Sequence, residues 1–208
     1  MIIHKDFIFA HLQKCGGSFV EKFLIENFDG CRSVKPKHTG LERVLDLISP
    51  RKTMFGIVRN PWEWYVSWWA ANSQSEVTLF PLFFTEETKA DFNKFIKRIF
   101  SYNFGKQHDL DGNYIYSHKI GIYSYRYLSC FCNKDCKELT TSVIKLENLN
   151  SELADILSLS KEQSKDLDRM SKVHTSVHED CLKYYNSESL DLIKTRDSMI
   201  IDTYGYGW

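Results

Sequence analysis

An α/β fold with a central parallel sheet flanked by helices is what this sequence predicts, and three observations predict it. Short runs rich in β-branched and aromatic residues, such as Phe7-Ile8-Phe9, Thr53–Val58 and Val143-Ile144, read as strands. Between them lie segments with apolar residues at i, i+3, i+4 and i+7, the repeat of a helix with one buried side. Strands separated by helices favour parallel pairing through right-handed crossovers. No internal repeat and no Pro/Gly/Ser linker divides residues 1–208, so a single domain is expected.

In chain order, strands are expected at 5–11, 53–58 and 142–147, with a short one near 32–35. The first helix, 18–28, puts Phe19, Val20, Phe23, Leu24 and Phe28 on one face. The second, 40–48, carries Leu41, Val44, Leu45 and Ile48 at helical spacing. In the third, 62–72, Trp62, Tyr65, Val66 and Trp69 make the buried stripe, and Pro61 suits a first turn that has no use for its missing N–H. Phe92, Phe95, Ile96 and Ile99 mark a helix at 88–100, and others are expected at 118–129, 150–158, 161–169 and 186–203. The polar stretch 103–113 reads as a loop fit to serve as a substrate lid.

Composition narrows the function classes. Lys plus Arg and Asp plus Glu number 27 each, a balance that argues against general nucleic-acid or anionic-membrane binding. No apolar run approaches the length of a membrane span, and the first strand starts too close to Met1 for a signal peptide, so a cytoplasmic location without membrane insertion is expected. Cys130, Cys132 and Cys136 form C-x-C-x-x-x-C, while Cys15, Cys31 and Cys181 are scattered. Without paired C-x-x-C units or a histidine at ligand spacing, these read as reduced structural thiols and not as a metal site.

The most informative stretch is Asp6 to Phe28. It runs from a strand through a loop carrying Lys14, Gly16, Gly17 and Ser18 into a helix. A strand, a glycine loop and a helix N-terminus make an anion cradle, because backbone N–H groups and the helix dipole converge there. The glycines allow close backbone approach to a ligand, Lys14 adds a charge, and Ser18 is placed to cap the helix or to bond a phosphate oxygen. The ATPase pattern G-x-x-x-x-G-K-[ST] is absent. A second loop, Arg59-Asn60-Pro61, again follows a strand and opens a helix, and Arg59 offers a planar fork of donors suited to phosphate.

HLQKCGGS resembles the 5′-phosphosulfate loop of sulfotransferases that use 3′-phosphoadenosine 5′-phosphosulfate (PAPS), with Gln13 where proline is frequent. VRNPWEWYVS resembles the 3′-phosphate motif of that family, with Trp64 where arginine is usual. Lys37-His38, Gly121–Leu128, Val143–Leu149, Ser176-Val177-His178, Tyr184-Tyr185 and Tyr204-Gly205-Tyr206 resemble later family segments, so the likeness spans nearly the whole chain. The resemblance implies a sulfotransferase-like fold related to P-loop proteins, PAPS as donor, its desulfated product PAP, and no metal. It assigns Lys14, Cys15, Gly16, Gly17, Ser18 and Phe19 to the phosphosulfate loop, Arg59 and Ser67 to the 3′-phosphate, and Arg126 to the nucleotide or an anionic acceptor.

Transfer then needs a base for the acceptor hydroxyl, possessed by a sugar in the favoured case. His38 is the first choice, since imidazole titrates near neutrality and the residue lies between the two nucleotide motifs; Glu63 and His11 are weaker ones. Lys14 would neutralise charge on the bridging oxygen. Trp64 and Trp68 are candidate stacking surfaces for a sugar, against the commoner role of aromatic residues as core. Two other classes remain open at this point: a kinase-like phosphotransferase using ATP and magnesium, and a non-catalytic nucleotide-binding protein of the same fold.

Overall fold

A computed structural model describes residues 1–47, 52–75, 80–101, 120–171 and 178–208. The expected lid at 103–113, and His174, Ser176 and Val177, lie outside the described residues. The chain packs as two compact units, each discontinuous in sequence: Met1–Arg59 with Arg126–Thr175, and Asn60–Tyr125 with Ser176–Trp208.

The first unit holds a five-stranded sheet formed by β1 (Ile2–Ile3), β2 (Phe7–Ala10), β3 (Arg32–Ser33), β4 (Thr53–Val58) and β5 (Ser142–Lys145), in the order β3-β1-β2-β4-β5. Strands β2, β4 and β5 are parallel as expected, with Ala10 opposite Gly56 and Val58 opposite Lys145. The sheet as a whole is mixed, which corrects the purely parallel expectation: β1 runs antiparallel to both β2 and β3. The cause is connection length. Only residues 4–6 join β1 to β2, with His4 N–H donating to the Phe7 carbonyl at 2.9 Å, and so short a link permits only a hairpin.

Every residue of β2 is buried, and Phe55, Ile57, Val58 and Ile144 continue the core along β4 and β5. Gly56 in mid-strand is explained by Phe131, whose ring atoms stand 2.3 Å from where a Cβ would be. Helix α1 (Gly17–Asn27) buries Phe19, Val20, Phe23 and Leu24 as the stripe predicts. Residues Leu41–Leu47 form a 3₁₀ helix and not the expected α-helix; the buried Leu41 and Val44 are three apart, the repeat of that tighter turn.

The second unit is helical among its described residues: α2 (Pro61–Ser73), α3 (Glu86–Ala90), α4 (Phe92–Ser101), the start of α5 (Ile122–Phe131), then α8 (Ser187–Arg196) and α9 (Ser198–Tyr204). Helices α6 (Leu149–Leu157) and α7 (Lys161–Arg169) belong to the first unit. Two long helices expected from periodicity are each broken at an aspartate. Asp91 is extended, and its Oδ1 accepts from Asn93 N–H at 2.8 Å and Lys94 N–H at 3.1 Å, which starts α4 afresh. Asp197 separates α8 from α9.

Helix α2 is buried on more sides than its stripe suggests. Trp64 and Trp68 are 0% and 1% exposed, and Trp64 stacks on Tyr123 at 4.6 Å and on Trp68 at 5.2 Å. Neither ring has a free face for a sugar, so the stacking expectation is corrected to a core role. Among the described residues no helix is long and apolar enough to cross a membrane.

Candidate functional site

Parallel β2 and β4 bring the chain segments beyond their carboxyl ends side by side, the place where ligands of open α/β sheets bind. Past β2 the chain turns sharply: Lys14 has φ 62° and Gly16 has φ 73°, two left-handed residues flanking Cys15. For lysine that conformation costs about 1 kcal/mol. Gly16 then serves as the N-cap of α1, and the N–H groups of Phe19 and Val20 turn back to its carbonyl at 3.0 and 3.3 Å. The amides of Gly17 and Ser18 open the helix without an intrahelical acceptor and carry the positive end of its dipole.

Arg59 directly follows β4 and is electrostatically coupled to Lys14. Burial lowers the Lys14 pKa, and the Arg59 guanidinium lowers it further, against a smaller opposing pull from Cys15. Among the described residues no carboxylate forms an ion pair with Lys14. Two cations thus converge at the strand ends.

The glycine pair has a structural basis of its own. Gly16 is required by its left-handed φ, and a Cβ there would also stand 2.6 Å from Leu146 Cδ1. At Gly17 a Cβ would stand 2.2 Å from His11 Cδ2, so it is an imidazole that needs this glycine bare. His11 is 3% exposed, and burial, with help from His38 and Lys37, drops its pKa to about 2. A neutral, enclosed ring braces the loop and is poorly placed to act as a base. Ser18 makes no helix cap; its Oγ accepts from Lys37 Nζ at 3.0 Å. Cys15 is buried, its thiol donating to the Gln13 carbonyl at 3.5 Å, and Phe19 points into the core.

His38 meets His11 edge-on, ring centroids 4.8 Å apart, and its Nδ1 lies 2.8 Å from the His11 carbonyl oxygen. A carbonyl can only accept, so Nδ1 carries the proton and the Nε2 lone pair is the basic site. The ring keeps an exposed edge. Burial of its inner side lowers its pKa; the His11 carbonyl raises it, and Arg126, the Met1 amino group and Lys37 press it down. The imidazole is therefore neutral at pH 7 and able to take a proton. Half-buried Arg126 belongs to this neighbourhood.

Loop, Arg59, His38 and Arg126 all belong to the first unit, whereas Ser67 lies mid-helix in α2 of the second, 3% exposed, and Glu63 sits half-buried in that helix's first turn. In the cysteine cluster, burial pushes the Cys130 and Cys132 thiols up to about 12. Among the described residues no group of three His, Cys, Asp or Glu side chains could hold a metal ion.

Sequence reasoning missed Glu21 and gave Lys37 no role of its own. Glu21 lies 2.8 Å from Lys37 Nζ and 3.6 Å from His11 Nδ1, and it falls three residues after Ser18, on the same helix face. That spacing signals a face shared with Ser18, but not the meeting with Lys37 and His11. No family model, curated protein or solved structure matches the chain.

Proposed function

We propose that this protein is a sulfotransferase that moves the sulfuryl group of PAPS to a hydroxyl acceptor, with a sugar as the favoured class. The observation that carries the reading is the convergence of Lys14 and Arg59 beyond adjacent parallel strands, beside a left-handed loop and the open amides of α1. A partly desolvated Lys14 without a paired carboxylate, set beside a half-buried Arg59, fits a multiply charged nucleotide. The donor supplies the sulfuryl group and leaves as PAP. Lys14 faces the charge that grows on the bridging oxygen, and the Gly17 and Ser18 amides hold phosphate or sulfonate oxygens. Arg59 takes the 3′-phosphate. His38 accepts the acceptor's proton at Nε2. Arg126 keeps its nucleotide role from the family resemblance.

The test is thermal stability with PAP, compared with ATP plus magnesium, on wild type and Arg59→Ala. At a hundredfold excess over its dissociation constant, a ligand of the folded state adds about 2.7 kcal/mol. Stabilisation by PAP that is lost in Arg59→Ala is the expected result. Stabilisation by ATP and magnesium alone points to a phosphotransferase, and no response to either refutes the nucleotide site.

A further inference from the structure

Glu21 projects from α1 and gathers three other segments. Its Oε1 accepts from Ser33 Oγ–H at 3.0 Å, which ties it to β3. Its Oε2 lies 2.8 Å from Lys37 Nζ and 3.6 Å from His11 Nδ1, at the end of β2. Lys37 Nζ also donates to Ser18 Oγ at 3.0 Å, so one ammonium is held by two side chains a helical turn apart. His38 is the next residue, and its Nδ1–H donates to the His11 carbonyl at 2.8 Å. Only 13% of the Glu21 side chain is exposed. Burial opposes its ionisation, but Lys37, Ser33 and the Met1 amino group outweigh burial and hold the carboxyl below its usual pKa.

We propose that Glu21 is the positioning residue for His38: by gripping Lys37 it pins the segment that carries the imidazole against α1, and by pairing that ammonium it shields the imidazole from a neighbouring positive charge. The role of His38 as base rests on the sulfotransferase reading; its coupling to Glu21 does not. The charged or titratable groups facing His38 are His11 from the end of β2, Arg126 from α5, Lys37 from its own segment and the Met1 amino group. All four are basic groups. Glu21 is a carboxylate that touches two of them, His11 and Lys37.

The experiment is a histidine-selective NMR titration of the whole chain, without donor or acceptor, on wild type, Glu21→Gln and Lys37→Met. Glutamine keeps the size and a hydrogen-bonding oxygen but removes the charge. The His38 midpoint should fall by about half a pH unit in Glu21→Gln, because Lys37 is then unshielded, and should rise by a similar amount in Lys37→Met. In wild type, nitrogen shifts should report Nδ1–H with Nε2 bare. A purely structural salt bridge would leave both midpoints where they are in folded protein. Unchanged midpoints in the variants that fold, or an Nε2–H tautomer in wild type, overturn the proposal. PAP stabilisation of wild type with fixed midpoints sinks the Glu21 role alone. Shifted midpoints without PAP stabilisation uphold the coupling and sink the sulfotransferase reading.

Discussion

Gly17→Ala separates two reasons for the second loop glycine. At the start of α1, replacing glycine by alanine would ordinarily gain up to about 1 kcal/mol from helix propensity. Here the added Cβ would stand 2.2, 2.3 and 2.8 Å from His11 Cδ2, Nε2 and Cε1. Carbon contacts settle near 3.5 Å, so the ring must retreat by roughly 1.3 Å. It has little room to do so, being 3% exposed, edge-on to His38 and near Phe9. Overpacking of this kind costs about 1–3 kcal/mol, or about 2–4 °C in Tm per kcal/mol for a chain this size. Urea and thermal unfolding of wild type, Gly17→Ala, His11→Ala and the double variant complete a cycle. The double variant should recover about 1–3 kcal/mol relative to the sum of the single losses. PAP stabilisation should return with it if the Cβ crowds only the imidazole. A Gly17→Ala protein as stable as wild type, or a double variant that is simply additive, refutes the assignment.

Asp197 is fully buried, with Oδ2 accepting from Tyr65 O–H at 2.7 Å and Oδ1 from Ser124 N–H at 2.8 Å. Burial raises its pKa from 3.8 to about 6, partly offset by Ser124 and Tyr65. Between those values the folded state holds a proton that the unfolded chain has released. Its contribution to stability is therefore complete below pH 3.8 and is lost as pH rises through 6, by about 3 kcal/mol in all. Asp197→Asn should flatten the pH dependence of the urea midpoint over that window; an unchanged slope would contradict the argument. Trp64→Ala should cost about 3–5 kcal/mol in urea unfolding while leaving PAP affinity intact, and a loss under about 1 kcal/mol would return Trp64 to the list of surface contacts.

What could be read from the sequence was local. Lys14, Gly16 and Arg59 each follow a strand within a few residues, so strand periodicity alone placed them beyond the carboxyl ends of β2 and β4. Ile2-Ile3 is too short to show any period, and β1 became visible only through pairing with β2 and β3. The breaks at Asp91 and Asp197 carry no proline or glycine. At Asp91 the carboxylate caps the amides that start α4, whereas the Asp197 carboxylate caps nothing in its own repeat and is turned to the Ser124 amide and the Tyr65 hydroxyl, long-range partners that no local pattern shows. Glu21, Lys37 and His11 meet across ten to sixteen residues of sequence, a range that no local pattern reaches.

Several costs meet at the loop that follows β2. Lys14 adopts a left-handed backbone, its charge is partly desolvated and set against Arg59, and an unprotonated histidine is enclosed beneath the same loop. None of these features stabilises the chain, and each has a cheaper replacement: glycine at 14, a neutral residue at 59, an aliphatic one at 11. By contrast, local rules and packing agree in the buried stripe of α1 and in the capping box of Ser160 and Gln163 that opens α7. Strain and like charge gathered at the ends of parallel strands have a physical rationale when an anion completes the site: it pairs Lys14, takes up the open amides of α1, and offsets the repulsion between Lys14 and Arg59.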